Sequence, residues 1–328
     1  VFCYANNSED AVSRTMAQQP GVHWTNILGL LPEEAARLVA ADEIDILCDL
    51  SGHTKDNCLA VLARKPAPVQ LTGLGYMGRT GLSTIDYLLG DRVLDAAEDG
   101  ASQGAREERS ERPLSLPHSH FCYLPFVAMP EVAPPPCLSR GYVTFGCFNN
   151  YSKVTDAMLL LWRQLTDVPG ARLLLKSRLF GSEEGRSLAA ERFERFGLDA
   201  SRIELRGFSS DYLAEYADMD IALDTAPYTG GLTTCEALYM GVPVITKAGG
   251  THGSRFSTSI LENAGLSQLV ARGDMEYVRK AVELADAPDI LRRLHRDLRA
   301  RMEASPLMDA KGYMKDLEDI YREIAEDV

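Results

Sequence analysis

One stretch carries residues in an order that suits a phosphate: Asp224-Thr225-Ala226-Pro227-Tyr228-Thr229-Gly230-Gly231-Leu232-Thr233-Thr234-Cys235-Glu236-Ala237-Leu238. An apolar strand (221–223) runs in and a helix (233–240) runs out, with a proline turn, Gly230 and Gly231 between them. Gly231 can adopt φ > 0, and its missing Cβ lets a ligand approach the backbone closely. Thr233 and Thr234 then open the helix with free N–H and hydroxyl groups, at the end that attracts anions. Glu236, in the first turn, repels phosphate and suits the hydroxyls of a ribose. The pattern reads as a sugar-nucleotide site. The alternative is a Gly-rich turn with ordinary threonine caps.

Other candidates also sit just past expected strand ends. Lys153 follows Phe148-Asn149-Asn150-Tyr151-Ser152. An ammonium there can neutralise a pyrophosphate leaving group, whose charge grows in the transition state; the alternative is a surface lysine. Arg178 and Arg255 are placed to touch phosphate or close a cleft, or to form surface salt bridges. His53 and His252 can assist proton transfer near neutral pH or simply order their turns. Asp218-Met219-Asp220 imitates a metal-binding DxD, but as a boundary between a helix and a strand it is set aside. His118-Ser119-His120 alternates like a strand, without an acidic or cysteine partner nearby, and is a weak metal signal. No metal site is expected.

These residues need strands that end together. Val1 to Tyr4 reads as a short buried strand, so the chain is expected to start inside a domain. Helices are expected at about 5–19, 32–41 and 57–64, the last stopped by Pro66 and Pro68. Strands fall at 22–28, 44–50, 69–74 and 87–89. Residues 95–112, rich in Glu, Arg, Ser and Gly, read as an exposed mobile loop or a short polar helix. Residues 125–136 hold five prolines and read as a connector between lobes. A second alternation follows, with strands at 143–145, 171–176, 203–205, 221–223 and 242–246. Its helices fall at 156–165, 183–196, 211–217 and 233–240, and several more close the chain. Strands alternating with helices give parallel sheets covered on both faces. The expected fold is α/β, two doubly wound Rossmann-like lobes facing a cleft. Residues 1–130 form the first lobe, rejoined by a last helix at 310–325; residues 140–305 form the second. Ligands in such folds lie beyond the carboxyl ends of the strands, so Ser51 to Thr54 and the glycine stretch are expected to face each other.

Composition narrows the partners. The 328 residues are 45% hydrophobic and 25% charged, with net charge −13. That disfavours nucleic acid and anionic membrane. No apolar run approaches the ~20 residues of a membrane span. The seven cysteines show no metal-like spacing and read as reduced thiols of a cytoplasmic protein.

Several motifs recur in order: Asp49-Leu50-Ser51-Gly52-His53-Thr54, Arg64-Lys65-Pro66-Ala67-Pro68-Val69-Gln70, Leu74-Gly75-Tyr76, Phe148 to Lys153, the glycine stretch, Met240-Gly241-Val242-Pro243-Val244 and Ser254-Arg255. Together they resemble the catalytic region of the O-GlcNAc transferase family, in its bacterial and SPINDLY-like branch, over nearly the whole chain. The resemblance implies a GT-B, inverting, metal-independent transferase with no cofactor. It would move a sugar, usually N-acetylglucosamine, from UDP to Ser/Thr hydroxyls of proteins. It implies that Lys153 and Asn150 contact the donor pyrophosphate. Thr233 and Thr234 would form the helix start under the phosphates, Glu236 would hold the ribose, and Gly207 and Phe208 the uracil. Three departures stand out. The family's first β-α unit, with a histidine proposed near the acceptor hydroxyl, would lie before Val1. Gly-Tyr-Pro-Gly becomes Gly75-Tyr76-Met77-Gly78. Tyr212 stands where some members carry a histidine near the uracil. Tetratricopeptide repeats would be expected upstream. The rival readings are a non-catalytic UDP-sugar-binding module and a transferase acting on a glycan or small molecule.

Overall fold

A computed structural model describes residues 1–76, 78–96 and 110–326. It divides into two units. The first holds residues 1–90, 110–116 and 315–326; the second holds 91–96 and 117–314. Both are mixed α/β.

In the second unit six parallel strands form one sheet: β7 (Thr144–Cys147), β8 (Arg172–Lys176), β9 (Ile203–Arg206), β10 (Ile221–Leu223), β11 (Val244–Lys247) and β12 (Val270–Ala271). Their spatial order is β12-β11-β10-β7-β8-β9. The chain therefore winds outward from β7 to one side, then crosses back and winds outward from β10 to the other. Adjacent β7 and β10 mark the point where the order reverses, and a crevice opens at their carboxyl ends. Helix Asp156–Leu165 shows why the sheet is covered. Thr155 caps it by accepting the N–H of Met158, and Met158, Leu159, Leu161, Trp162 and Leu165 are buried in one stripe. Fully burying such side chains contributes roughly 1.5–3 kcal/mol each.

The first unit holds two sheets. β1 (Phe2–Ala5) and β2 (His23–Asn26) pair in parallel as a two-stranded sheet. β3 (Ile46–Asp49), β4 (Val69–Thr72), β5 (Tyr87–Asp91) and β6 (Arg112–Leu116) form the other, parallel across its first three strands. The last residue of β5 already belongs to the second unit. No helix among the described residues is long and apolar enough to cross a membrane.

Several expectations change. β1 is partly exposed rather than buried, with Phe2 40% exposed, because among the described residues only β2 pairs with it. The helix expected at 57–64 is one turn, Leu59–Leu62, ended by Lys65 at φ +51 ahead of Pro66. The helix expected at 211–217 is a 3-10 turn at Ala214–Asp218. The proline segment 125–136 lies within the second unit, where the Pro130 carbonyl accepts from Arg299 and Val132 lies against Gly241. Most of the loop expected at 95–112 lies outside the described residues, as does Met77 of the altered Gly-Tyr-Pro-Gly motif. Glu111, at the end of that loop, is buried.

Candidate functional site at the switch point

The loops leaving β7 and β10 are tied together by one buried carboxylate. Asp224, 2% exposed, follows β10. Its Oδ1 accepts the Asn149 amide (2.9 Å), the Thr225 N–H (2.9 Å) and the Gly230 N–H (2.7 Å). Its Oδ2 accepts the Thr246 hydroxyl (2.5 Å). Burial pushes this carboxyl above its ordinary range, against the pull of those donors. The Asp224 carbonyl in turn accepts the Tyr277 hydroxyl at 2.9 Å. The glycine turn is thus anchored to strands on either side before any ligand is considered.

Glycine is required at 230 rather than 231. A Cβ on Gly230 would collide with the hydroxyls of Thr234 and Thr233. Gly231 sits at φ −130, so the positive φ open to it is not used, and it caps helix Leu232–Tyr239 without a side chain. The threonine hydroxyls are not free either. Thr233 donates to Asn149 Oδ1, and Thr234 is buried with its hydroxyl 2.8 Å from Ser257 Oγ. The N–H groups of Thr234 and Cys235 turn back onto the Gly231 carbonyl, 3.1 Å each. Among the described residues the N–H groups of Leu232 and Thr233 are left as open donors at the positive helix end.

A pocket of about 300 Å³ opens here. Asn150, Arg178, Gly207, Phe208, Thr233 and Glu236 line it, together with Phe148, Lys176, Ser177, Ser209, Tyr212 and Tyr216. Phe208 is 70% exposed, with the Arg178 guanidinium 5.4 Å from its ring centroid. The Gly207 carbonyl already accepts from Lys176 Nζ at 2.8 Å, and the same ammonium pairs with Glu215 at 2.6 Å. A Cβ at Gly207 would press on the backbone of Gly181. Glu236 is buried just past the first turn of helix Leu232–Tyr239, not within it as expected, because the helix starts at Leu232. Tyr212 donates to its Oε1 (2.5 Å) and Tyr216 to its Oε2 (3.4 Å). Burial pushes the carboxyl up, and the two phenols oppose it.

The remaining candidates lie off the pocket wall. Lys153 ends a 3-10 turn after β7. Its ammonium donates to the Thr229 carbonyl (3.0 Å) and stands 3.8 Å from the Tyr228 ring centroid. Burial pushes its pKa down. Arg255 spends its guanidinium on the carbonyls of Val93 (2.7 Å) and Gly249 (3.3 Å), which ties the helical turn Arg92–Asp95 to the loop after β11. His252 is buried, 3.6 Å from Asp95. His53, in the first unit, has Nε2 2.8 Å from the Thr80 carbonyl oxygen.

The two motifs set aside resolve into structure. Asp218 pairs with Arg140 and Arg206, and Asp220 accepts the N–H groups of Cys137 and Thr144. His118-Ser119-His120 is not a strand. Contrary to expectation, His120 has an acidic partner: it is fully buried, with Nδ1 3.0 Å from Asp91. Twenty-nine residues separate them, too many for local spacing to reveal the pair. Lys176 and Ser209 could have been found by the strand-end argument that selected Arg178. Tyr216 could not, because its direction depends on the fold.

The model of glycosyl transferase family 41 matches residues 1–122 and 137–317. A Solanum lycopersicum protein named probable UDP-N-acetylglucosamine–peptide N-acetylglucosaminyltransferase SPINDLY is 40% identical over 313 residues, 94% of this chain and 33% of its own length. The Arabidopsis thaliana protein of that enzyme name called SEC is 28% identical over 335 residues, 98% of this chain and 33% of its own. The chain thus spans about a third of these relatives. A mutant O-GlcNAc transferase from Thermobaculum terrenum superposes with a TM-score of 0.89 at 35% identity, over 99% of this chain and 61% of that one. HepE of Anabaena, solved with UDP, shares the fold at a TM-score of 0.55 and 12% identity. The family match runs through both strand-end loops that Asp224 ties together, and the chain belongs to glycosyl transferase family 41.

Proposed function

We propose that the chain is the catalytic region of a UDP-sugar transferase that moves N-acetylglucosamine to Ser/Thr hydroxyls of a protein, with inversion and without a metal. The observation that carries this reading is the pocket at the switch point. One short helix offers it an open N-terminal donor at Thr233 and a buried acceptor at Glu236, spaced for the phosphate and the ribose of one nucleotide. The aromatic end, with Phe208 and Arg178, suits uracil. Asn150 and Lys153 are the candidates for the diphosphate, and Gly230 keeps the turn close enough to present it. Arg255 acts by holding the helical turn Arg92–Asp95 against the Gly249 loop. What supports metal independence is that Asp218 and Asp220 are already committed to arginines and backbone N–H groups.

In the reaction an acceptor oxygen bonds to C1 of the sugar. The bond from C1 to the diphosphate oxygen breaks, and its electron pair leaves with UDP. The Lys153 ammonium and the helix start favour that charge. His53 is the candidate to take the acceptor's proton. The test is to incubate the chain with UDP-N-acetylglucosamine and a mixed protein lysate, and to read the proteins by mass spectrometry. N-acetylhexosamine added to Ser/Thr is the expected result. Tight UDP binding with no added sugar mass would leave a binding module instead, and sugar appearing only on glycans or small molecules would reassign the acceptor.

A further inference from the structure

A buried carboxylate in the first unit has no task in the reading above. Glu111 is 1% exposed. Its Oε1 accepts the Thr80 N–H (2.6 Å), the Thr80 hydroxyl (2.6 Å) and the Gly81 N–H (3.1 Å). Its Oε2 takes the Ser110 hydroxyl and faces the Arg79 guanidinium at 3.6 Å. Burial alone would raise this carboxyl, but the donors outweigh it and hold it below its usual range. Two donors from one residue, on one oxygen, fix Thr80 in place and orient its peptide.

The other side of Thr80 meets His53. Its carbonyl oxygen is 2.8 Å from His53 Nε2. A carbonyl only accepts, so Nε2 carries a proton, and in the neutral ring it is Nδ1 that then keeps the lone pair. Tyr76 stands edge-on to the imidazole, centroids 5.3 Å apart. Gly52, at φ +50, leaves no space for a Cβ against the Tyr76 side chain. The ring is therefore steadied from a second direction while it stays exposed.

We propose that Glu111 is a positioning residue: through Thr80 it holds His53 in the Nε2–H tautomer, with Nδ1 open to take the proton of an attacking hydroxyl. This rests on the reading of His53 as the proton acceptor. In the step, the hydroxyl proton passes to Nδ1 as the oxygen bonds to sugar C1. The C1–diphosphate bond breaks with its electrons going to UDP, and the imidazolium then releases its proton to water.

The experiment uses the full chain with ¹⁵N-labelled histidine, the His53 signal being assigned by its loss in His53→Asn. Wild type should show a protonated Nε2 and a bare Nδ1. Glu111→Ala should show mixed tautomers, and Glu111→Gln, which keeps a carbonyl oxygen toward the Thr80 donors, should restore most of the wild-type signature. Sugar transfer should fall at least about tenfold in Glu111→Ala, a share of the 10²–10⁴-fold a general base supplies, with UDP affinity unchanged. Thr80→Val, lacking only the hydroxyl donor, carries the same test with a smaller shift if Glu111→Ala does not fold. A wild-type His53 in the other tautomer, or variants that leave the tautomer as it was, would overturn the proposal. Absence of UDP binding in wild type would instead overturn the transferase reading and leave the tautomer result to decide this one.

Discussion

The Lys153 ammonium lies 3.0 Å from the carbonyl oxygen of Thr229, so the loop after β7 reaches the glycine turn after β10 directly. In that place it is half-buried and faces an aromatic ring rather than a carboxylate. A cation held by a neutral carbonyl gains more from a diphosphate than one already paired with an acid. Lys153→Ala should therefore weaken UDP at least about tenfold, near the 1.4 kcal/mol that such a factor represents, and leave uridine affinity unchanged. Calorimetric titration with both ligands decides it. Equal losses for UDP and uridine would remove Lys153 from the phosphate.

Asp224 sets the shape that Lys153 reaches. Asp224→Asn replaces one acceptor oxygen with an N–H₂ group that must face at least one existing donor. A buried group left unmatched costs about 1–3 kcal/mol. We expect a lower melting temperature and weaker UDP binding together, whereas Asn149→Ala should lower affinity with a smaller loss of stability. Thermal unfolding with and without UDP separates the two effects.

Much of this architecture was legible in the sequence where the signal is local. Helices Pro32–Ala41 and Asp156–Leu165 fall where the sequence places them, the first from its leading proline and apolar stripe. Strand β12 was not legible, because two residues carry no period. Nor was the partial exposure of β1, since apolar residues do not say how many strands will pair with them. Within the site, strand-end position selected Arg178, and the family resemblance added Asn150 and Phe208, but neither gave partners. Tyr212 and Glu236 are 24 residues apart, and Thr80 and Glu111 are 31 apart. Such pairs are chosen by the fold, and only a polar residue with no evident surface role hints at them beforehand.

Tyr212 bears on how the site responds to acid. Its hydroxyl donates to Glu236, and that bond opposes the upward push of burial on the carboxyl. Removing it in Tyr212→Phe raises the Glu236 pKa further. A ribose hydroxyl donates best to the ionised form, so UDP affinity should be lost at a higher pH in the variant than in wild type as solutions are acidified. Titrations of UDP from pH 8 down to pH 5 measure the displacement; superimposable profiles would detach Tyr212 from nucleotide binding.

Acid should also loosen the second unit through Asp91. Burial alone would raise its carboxyl, but the imidazole and N–H of His120 and the hydroxyl of Ser259 (2.6 Å) hold it down at about 2. A carboxyl lowered on folding lends stability that is complete above its unfolded value of about 3.9 and is lost as pH falls toward 2. His120 works in the same direction at higher pH. Burial lowers its pKa, so the unfolded chain takes up that proton first, and stability declines as pH falls below about 6.5. Unfolding in urea should thus show two acid limbs. Asp91→Asn should flatten the lower one, and His120→Gln the upper one. A wild-type curve that stays flat from pH 7 to pH 3 would mean that neither group changes its proton affinity on folding.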